Sequence, residues 1–160
     1  MRGGSTSSHL TYGEDGINSP LIMKGTADIV LGFEPVETLR ALPFLRWADG
    51  VVVYSVKSIL PLTMRFGAEK YPPLDEVGRG IARCASKVFA LDAVDLAKAA
   101  GSQRTVNTVL LGASYGAVNM GMPEGVLLDV LKGSVPPGTE DVNVRAFAIG
   151  KESVSSGRAA

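Results

Sequence analysis

Residues that bind metals or form disulfides are scarce in this chain. Its 160 residues include one cysteine, Cys84, and one histidine, His9. A single cysteine excludes an internal disulfide, and the two residues together cannot supply the ligands of a self-contained zinc or iron–sulfur site. Acidic and basic residues number 16 each, so the formal net charge is zero. That balance argues against binding to nucleic acid or to an anionic membrane.

Long hydrophobic runs are also missing. Segments such as 51–54 and 108–112 fall far short of the roughly 20 apolar residues of a membrane-spanning helix, and residues 1–8 lack the apolar core of a secretory signal. We therefore expect a cytoplasmic protein with no membrane segment. The hydrophobic fraction of 46% is that of a folded chain. The length predicts a single domain over 1–153, followed by a frayed tail over 154–160.

The order of the apolar segments predicts an α/β fold. Apolar runs at 27–33, 51–54 and 87–91 are typical of strands buried on both faces, and weak alternation at 7–12 predicts a further strand. Helical spacing and helix-end residues predict helices at 34–45, 75–85, 92–100, 105–118, 123–132 and 141–153. Strands that alternate with helices predict a three-layer domain, with an open, mostly parallel sheet and helices on both faces.

The segment Gly112-Ala-Ser-Tyr-Gly116 matches the G-x-S-x-G pattern of serine hydrolases. In that fold the histidine follows the serine along the chain, whereas His9 precedes Ser114. Ser114 also lies in a stretch with helical spacing. A hydrolase is therefore the minor alternative, and we expect the small residues to mark a close contact between helices. We expect His9 to be a structural hydrogen-bonding residue.

Two other positions are candidates for binding. Arg2-Gly3-Gly4-Ser5 could form a backbone nest beside an arginine, suited to an anion or a partner's loop, or could be a flexible terminus. Glu34 follows the strand at 27–33, and parallel α/β folds bind ligands at the carboxyl ends of their strands. It could equally be an acidic residue in the first turn of the next helix.

Taken in order, several segments resemble the gamma-type subunit of the 2-oxoacid:ferredoxin oxidoreductases, most closely the beta subunit of the indolepyruvate-specific branch. The segments are Arg2-Gly-Gly-Ser5, Ser8-His9, Ser19-Pro20-Leu-Ile22, Ala27-Asp28, Phe33-Glu34-Pro35-x-Glu37-x-Leu39-Arg40, Asn107–Ala113, Pro123-Glu124 and Asn143-x-x-Ala146-Phe147-x-x-Gly150. Family members carry a first strand and a glycine-rich turn before the arginine–glycine–glycine element, whereas Met1 stands directly before it here. We therefore expect either an N-terminally shortened form or a strand supplied by another polypeptide.

The resemblance implies a non-redox subunit of an enzyme that oxidatively decarboxylates a 2-oxoacid, indolepyruvate or another arylpyruvate, to an acyl-CoA and passes electrons to ferredoxin. It implies no cofactor in this chain; thiamine diphosphate, magnesium and iron–sulfur clusters are expected in a larger thiamine-dependent partner subunit, with coenzyme A as cosubstrate. It implies no catalytic or metal-binding residue here, and a cleft or interface formed by Arg2, Gly3, Gly4, Ser5, Ser19, Pro20, Glu34 and Asn107. The alternative is a non-enzymatic adaptor of the same fold that binds a nucleotide or coenzyme A.

Overall fold

A computed structural model of the chain describes residues 6–13, 16–17, 19–58 and 71–155. Three parallel strands form the sheet in the order β1 (Ile29–Gly32), β2 (Val51–Ser55) and β3 (Lys87–Leu91). The central strand β2 is buried along its whole length, which explains its run of three valines. Within the described residues, β1 and β3 are the two edges of the sheet.

Helices cover both faces of this sheet. Within the described ranges they are α1 (Pro35–Ala41), α2 (Leu74–Ala82), α3 (Ala93–Ala100), α4 (Val106–Ala117), α5 (Glu124–Ser134) and α6 (Glu140–Ser155). Helices α1 and α2 share one hydrophobic cluster with Val30 and Val52 of the sheet. Helices α3, α4 and α6 share the other with Val53 and Leu91. The predicted three-layer parallel α/β architecture is confirmed.

The helix that follows β1 is shorter than the predicted 34–45. It ends at Ala41, and a single 3₁₀ turn continues it over Leu42–Phe44. Pro43 lies within that turn, and a proline cannot supply the N–H group that a continuing α-helix needs. The chain then leads directly to β2, so strand, helix and strand follow one another with short connections.

The strand predicted near the start of the chain is wrong, and the last helix extends further than predicted. Residues 7–12 form no strand: the Nδ1 atom of His9 accepts a hydrogen bond from the N–H of Ile22 at 3.1 Å, and its ring packs edge-on against Phe44. These contacts confirm the structural role of His9, and they replace the sheet pairing that the weak alternation suggested. The predicted frayed tail does not begin at 154, because α6 continues to Ser155 and buries Val154. Residues 156–160 lie outside the described ranges, and the single domain stays a prediction.

The backbones of α4 and α6 approach each other closely at the G-x-S-x-G segment. A Cβ atom at Gly112 would lie 2.0 Å from the carbonyl oxygen of Phe147, and a Cβ at Gly150 would lie 2.0 Å from that of Val109. No side chain can occupy either position unless the helices separate. The glycines therefore act reciprocally, one on each helix, and the expected close contact between helices is confirmed.

A buried hydrogen bond reinforces the same pair of helices. The hydroxyl of Thr108 donates to Oδ1 of Asn143 at 2.6 Å, and Nδ2 of Asn143 donates to the carbonyl of Thr139 at 2.9 Å. Since an unpaired buried amide is costly, this arrangement disfavours any sliding of α4 along α6.

The reciprocal contact generates a stability prediction. Gly112→Ala or Gly150→Ala should lower the free energy of unfolding by about 2 kcal/mol or more, because each overpacks a backbone contact that cannot relax locally. Gly133→Ala is the matched control, since a Cβ there meets nothing within 4 Å, and alanine in an exposed helix should be neutral or stabilising by up to about 1 kcal/mol. Urea unfolding followed by circular dichroism measures all three. Equal effects at the packed and the exposed positions would contradict the close contact.

Candidate functional site

Glu34 links the carboxyl end of β1 to the start of α1. Its side chain is 6% exposed, and Oε2 accepts a hydrogen bond from the N–H of Glu37 at 2.9 Å. Thr38 fixes the same corner by donating to the carbonyl of Glu34 at 2.7 Å. A Cβ on Gly32 would lie 1.8 Å from that threonine hydroxyl, so only glycine fits there. Glu34 therefore follows the strand and caps the next helix, and its role in a ligand site stays a prediction.

Tyr71 forms a hydrogen bond with the other oxygen of this carboxylate. Its hydroxyl donates to Oε1 of Glu34, across 37 positions of sequence. Burial, the hydrogen bond to Glu34 and the negative charge of that carboxylate raise the pKa of Tyr71 well above its usual range. The phenol therefore stays protonated and remains a hydrogen-bond donor. The pair anchors the chain that enters α2 to the junction of β1 and α1.

The ends of β2 and β3 carry an ion pair. Nζ of Lys57 lies 2.9 Å from Oδ2 of Asp92, while Oδ1 of Asp92 accepts a hydrogen bond from the N–H of Asp95 at 3.0 Å and caps α3. Burial opposes ionisation of Asp92, but the hydrogen bonds from Lys57 and Asp95 outweigh it and lower its pKa. The hydrogen bond to Asp92 likewise raises the pKa of Lys57. This arrangement holds both groups charged, which suits a structural role better than proton transfer.

An open cleft lies beside this ion pair, between β3, α3 and the last turns of α6. Its volume is about 490 Å³; Leu96 and Ile149 contribute apolar surface, and Asp95 and Glu152 contribute polar groups. Its lining combines the adjoining elements β3 and α3 with α6, which lies about 50 positions further along, so no local motif predicts it. Of the predicted site residues that the structure describes, none lines this cleft.

The structure describes four of the eight predicted interface residues. Arg2, Gly3, Gly4 and Ser5 lie outside the described ranges. Ser19 and Pro20 are exposed in a turn where Oγ of Ser19 accepts a hydrogen bond from the N–H of Leu21, whereas Asn107 is exposed in the first turn of α4. No contact found among the described residues joins any of these to Glu34, so their common cleft stays a prediction.

The hydrolase alternative is wrong. Ser114 is 2% exposed, and its hydroxyl donates to the carbonyl of Leu110 at 2.9 Å within α4. The only histidine of the chain, His9, is engaged with Ile22 instead. Ser114 is therefore a buried helix residue and not an exposed nucleophile.

The part of the chain that the structure describes has neither a metal-binding cluster nor a membrane-spanning helix. No group of three or more histidine, cysteine, aspartate or glutamate side chains is placed to hold a metal ion there. No helix in those ranges is both long and apolar enough to cross a membrane.

The Glu34–Tyr71 pair generates a pH-dependent prediction. Tyr71→Phe removes the hydrogen bond and should lower the free energy of unfolding by about 1 kcal/mol at neutral pH. Because folding raises the pKa of Tyr71 above its ordinary value of about 10, the phenol's contribution is complete below that pH and declines as the pH rises further. The wild type should therefore lose stability more steeply than the variant in alkaline urea titrations.

Glu34→Gln is the matched control, since the amide oxygen can still cap α1 but carries no charge. The Tyr71 phenol should then titrate at lower pH than in the wild type, as followed by phenolate absorbance. The pair does not form if Tyr71→Phe leaves the alkaline loss of stability unchanged and Glu34→Gln leaves the phenolate titration unchanged.

The sequence of the chain is similar to those of known oxidoreductase subunits. Residues 1–153 match the family model for pyruvate ferredoxin/flavodoxin oxidoreductase. The indolepyruvate oxidoreductase subunit IorB of Thermococcus kodakarensis is 37% identical over 151 residues, which is 94% of this chain and 74% of that one. The subunit of the same name from Methanothermobacter thermautotrophicus is 34% identical over 150 residues, with 94% and 75% covered.

A solved structure supports the same architecture. The gamma subunit of a keto/oxoacid ferredoxin oxidoreductase from Geobacter sulfurreducens superimposes with a TM-score of 0.57 over 82% of this chain and 66% of that one, at 19% identity. At that identity the likeness shows the fold alone. The sequence matches carry the relationship further: this chain belongs to the pyruvate ferredoxin/flavodoxin oxidoreductase family.

Proposed function

We propose that this chain is the non-redox subunit of a 2-oxoacid:ferredoxin oxidoreductase that acts on indolepyruvate or another arylpyruvate. The observation that carries the proposal is 31–37% identity to IorB subunits of four archaea over at least 94% of this chain. The reaction would be oxidative decarboxylation to an acyl-CoA, with the electrons passed to ferredoxin. We place the protein in the cytoplasm.

The proposal assigns the chemistry to a larger partner subunit. Thiamine diphosphate, magnesium and the iron–sulfur clusters would be held there, and coenzyme A would enter as cosubstrate. The polar groups at the strand ends of this chain support that division, because Glu34 caps a helix and binds Tyr71, while Asp92 caps another helix and pairs with Lys57. Such groups hold a scaffold together, and the exposed predicted residues Ser19, Pro20 and Asn107 would face the partner.

Reconstitution tests the proposal. The isolated chain should show no visible chromophore and no indolepyruvate-dependent reduction of ferredoxin in the presence of coenzyme A. The chromophore and the activity should both appear when the chain is copurified with a thiamine-dependent partner.

A substitution at a predicted interface residue tests the same proposal. Asn107 is exposed in the described structure, so Asn107→Ala should leave the stability of the free chain unchanged while it weakens the complex. Gly133→Ala, on the peripheral helix α5, is the control. A purified chain that catalyses the reaction alone would refute the proposal.

The adaptor alternative rests on the open cleft beside Asp92. Its position at the carboxyl end of β3 is where parallel α/β folds bind ligands. If the chain alone binds coenzyme A or an adenine nucleotide, a ligand at 100 times its Kd should stabilise it by about 2.7 kcal/mol. A thermal-shift series with each ligand and without a partner separates this alternative from the subunit proposal.

A further inference from the structure

The ionisable residues that line the open cleft between β3, α3 and α6 are all acidic. They are Asp92 and Asp95 at the start of α3 and Glu152 in the last turns of α6. Lys57 and Lys98 form ion pairs with the two aspartates, but neither lysine lines the cleft. The described surface that faces the cleft is therefore acidic, although the formal net charge of the whole chain is zero.

Apolar side chains form most of the remaining lining. Leu96 of α3 and Ile149 of α6 are half-buried, and both pack against the hydrophobic cluster that α3, α4 and α6 share. Leu91, at the end of β3, is a buried member of that cluster. Because the cluster fixes these side chains, the free chain already contains the cleft. A ligand there would find apolar contacts beside exposed or half-exposed carboxylates.

A phosphorylated ligand fits this lining poorly. Its negative charge would meet three carboxylates. Helix N-termini bind anions through their amides, but at α3 the N–H of Asp95 already donates to Asp92 at 3.0 Å. An arginine side chain has the complementary properties, since its aliphatic stem packs on apolar surface and its planar cationic head binds carboxylates with two hydrogen bonds.

The shape of the cleft favours a side chain carried by a protein. Sites for small molecules enclose most of the ligand, whereas this cleft is open to solvent. A partner protein needs no such enclosure, because its own surface would cover the opening. The ion pair of Asp95 with Lys98, at 2.9 Å, is no obstacle, since exposed pairs within a helix contribute little to stability and can exchange partners.

We propose that this cleft is a docking site for an arginine side chain of the partner subunit. The aliphatic stem packs on Leu96 and Ile149, and the guanidinium forms charge-assisted hydrogen bonds with Asp95 and Glu152. Arginine is one of the residues on which binding energy concentrates at interfaces. The proposal rests on the proposed function, because it requires that the chain works in a complex. It adds an interaction surface to the residues predicted from the sequence.

Dissociation kinetics test this docking site. The thiamine-dependent partner used for reconstitution is immobilised, and biolayer interferometry measures how fast the chain binds and leaves. Glu152→Gln keeps the size of the side chain and removes its charge. It should raise the dissociation rate about tenfold or more, because the loss of one member of a buried charge pair acts mainly on dissociation. Glu152→Lys should dissociate faster still, since it places like charges together.

Asp129→Asn is the matched control. Asp129 is also an exposed acidic residue of a helix, but it does not line the cleft. The same loss of charge there should leave the dissociation rate unchanged. Urea unfolding of each free chain checks the fold, and Glu152→Gln should resemble the wild type because the residue is exposed.

Four outcomes would overturn the proposal. Glu152→Gln might leave the dissociation rate unchanged, or it might change only the association rate, in which case the charge merely steers the encounter. Dimers of the free chain that Glu152→Gln abolishes in sedimentation would assign the cleft to a second copy. Coenzyme A that stabilises Glu152→Lys more than the wild-type chain would assign it to an anionic ligand.

Failure of the proposed function gives a different result. A wild-type chain that binds no thiamine-dependent partner would refute both proposals. A wild-type chain that binds and supports ferredoxin reduction, while Glu152→Gln dissociates at the same rate, would refute the docking site alone.

Discussion

The contact of α4 with α6 is the constraint on which the larger hydrophobic layer depends. Gly112 and Gly150 each lie against a backbone carbonyl of the other helix, so the two helices approach as closely as backbones allow. The residues around them, including Leu110, Ala113 and Phe147, are almost fully buried as a result. Because interiors are packed to near-crystal density, a displacement here would propagate to Val53 at the centre of the sheet.

The second constraint lies at the carboxyl ends of the strands, where polar groups join elements to one another. Glu34 connects β1 to α1 and, through Tyr71, to the chain that enters α2. Asp92 connects α3 to the end of β2 through Lys57. In many α/β folds this edge is left free for ligands. Here the described carboxylates serve the fold itself, which agrees with a role as a subunit that supports chemistry elsewhere.

Local sequence was enough to predict the bounds of several elements. The strand 87–91 has the predicted bounds, because an apolar run between polar ends leaves little choice of register. The helix 105–118 also agrees closely with α4. The predicted strand at 7–12 was wrong because alternation in one segment does not show whether a neighbouring strand is there to pair with it. His9 instead binds a loop that lies 13 positions further along.

The site was less predictable than the fold, for a reason visible in particular residues. Glu34 could be identified from its position after a strand and before a proline, but its partner Tyr71 is 37 positions away and lies in no described helix or strand. The cleft beside Asp92 needs Leu96 from α3 and Ile149 from α6, which no spacing rule brings together. For Ser114 the sequence alone was enough. The histidine precedes the serine, which argued against a hydrolase, and in the structure the Ser114 hydroxyl donates to the carbonyl of Leu110.

The two edges of the described sheet differ in their polar residues. At β3 the chain ends the sheet with an exposed lysine and turns into α3, whose cap and ion pair use the nearby polar groups. The strand β1 contains no lysine or proline, and its residues pack into both hydrophobic clusters. A lysine on an edge strand discourages pairing with another chain, so the described sheet is protected in this way at β3 and not at β1.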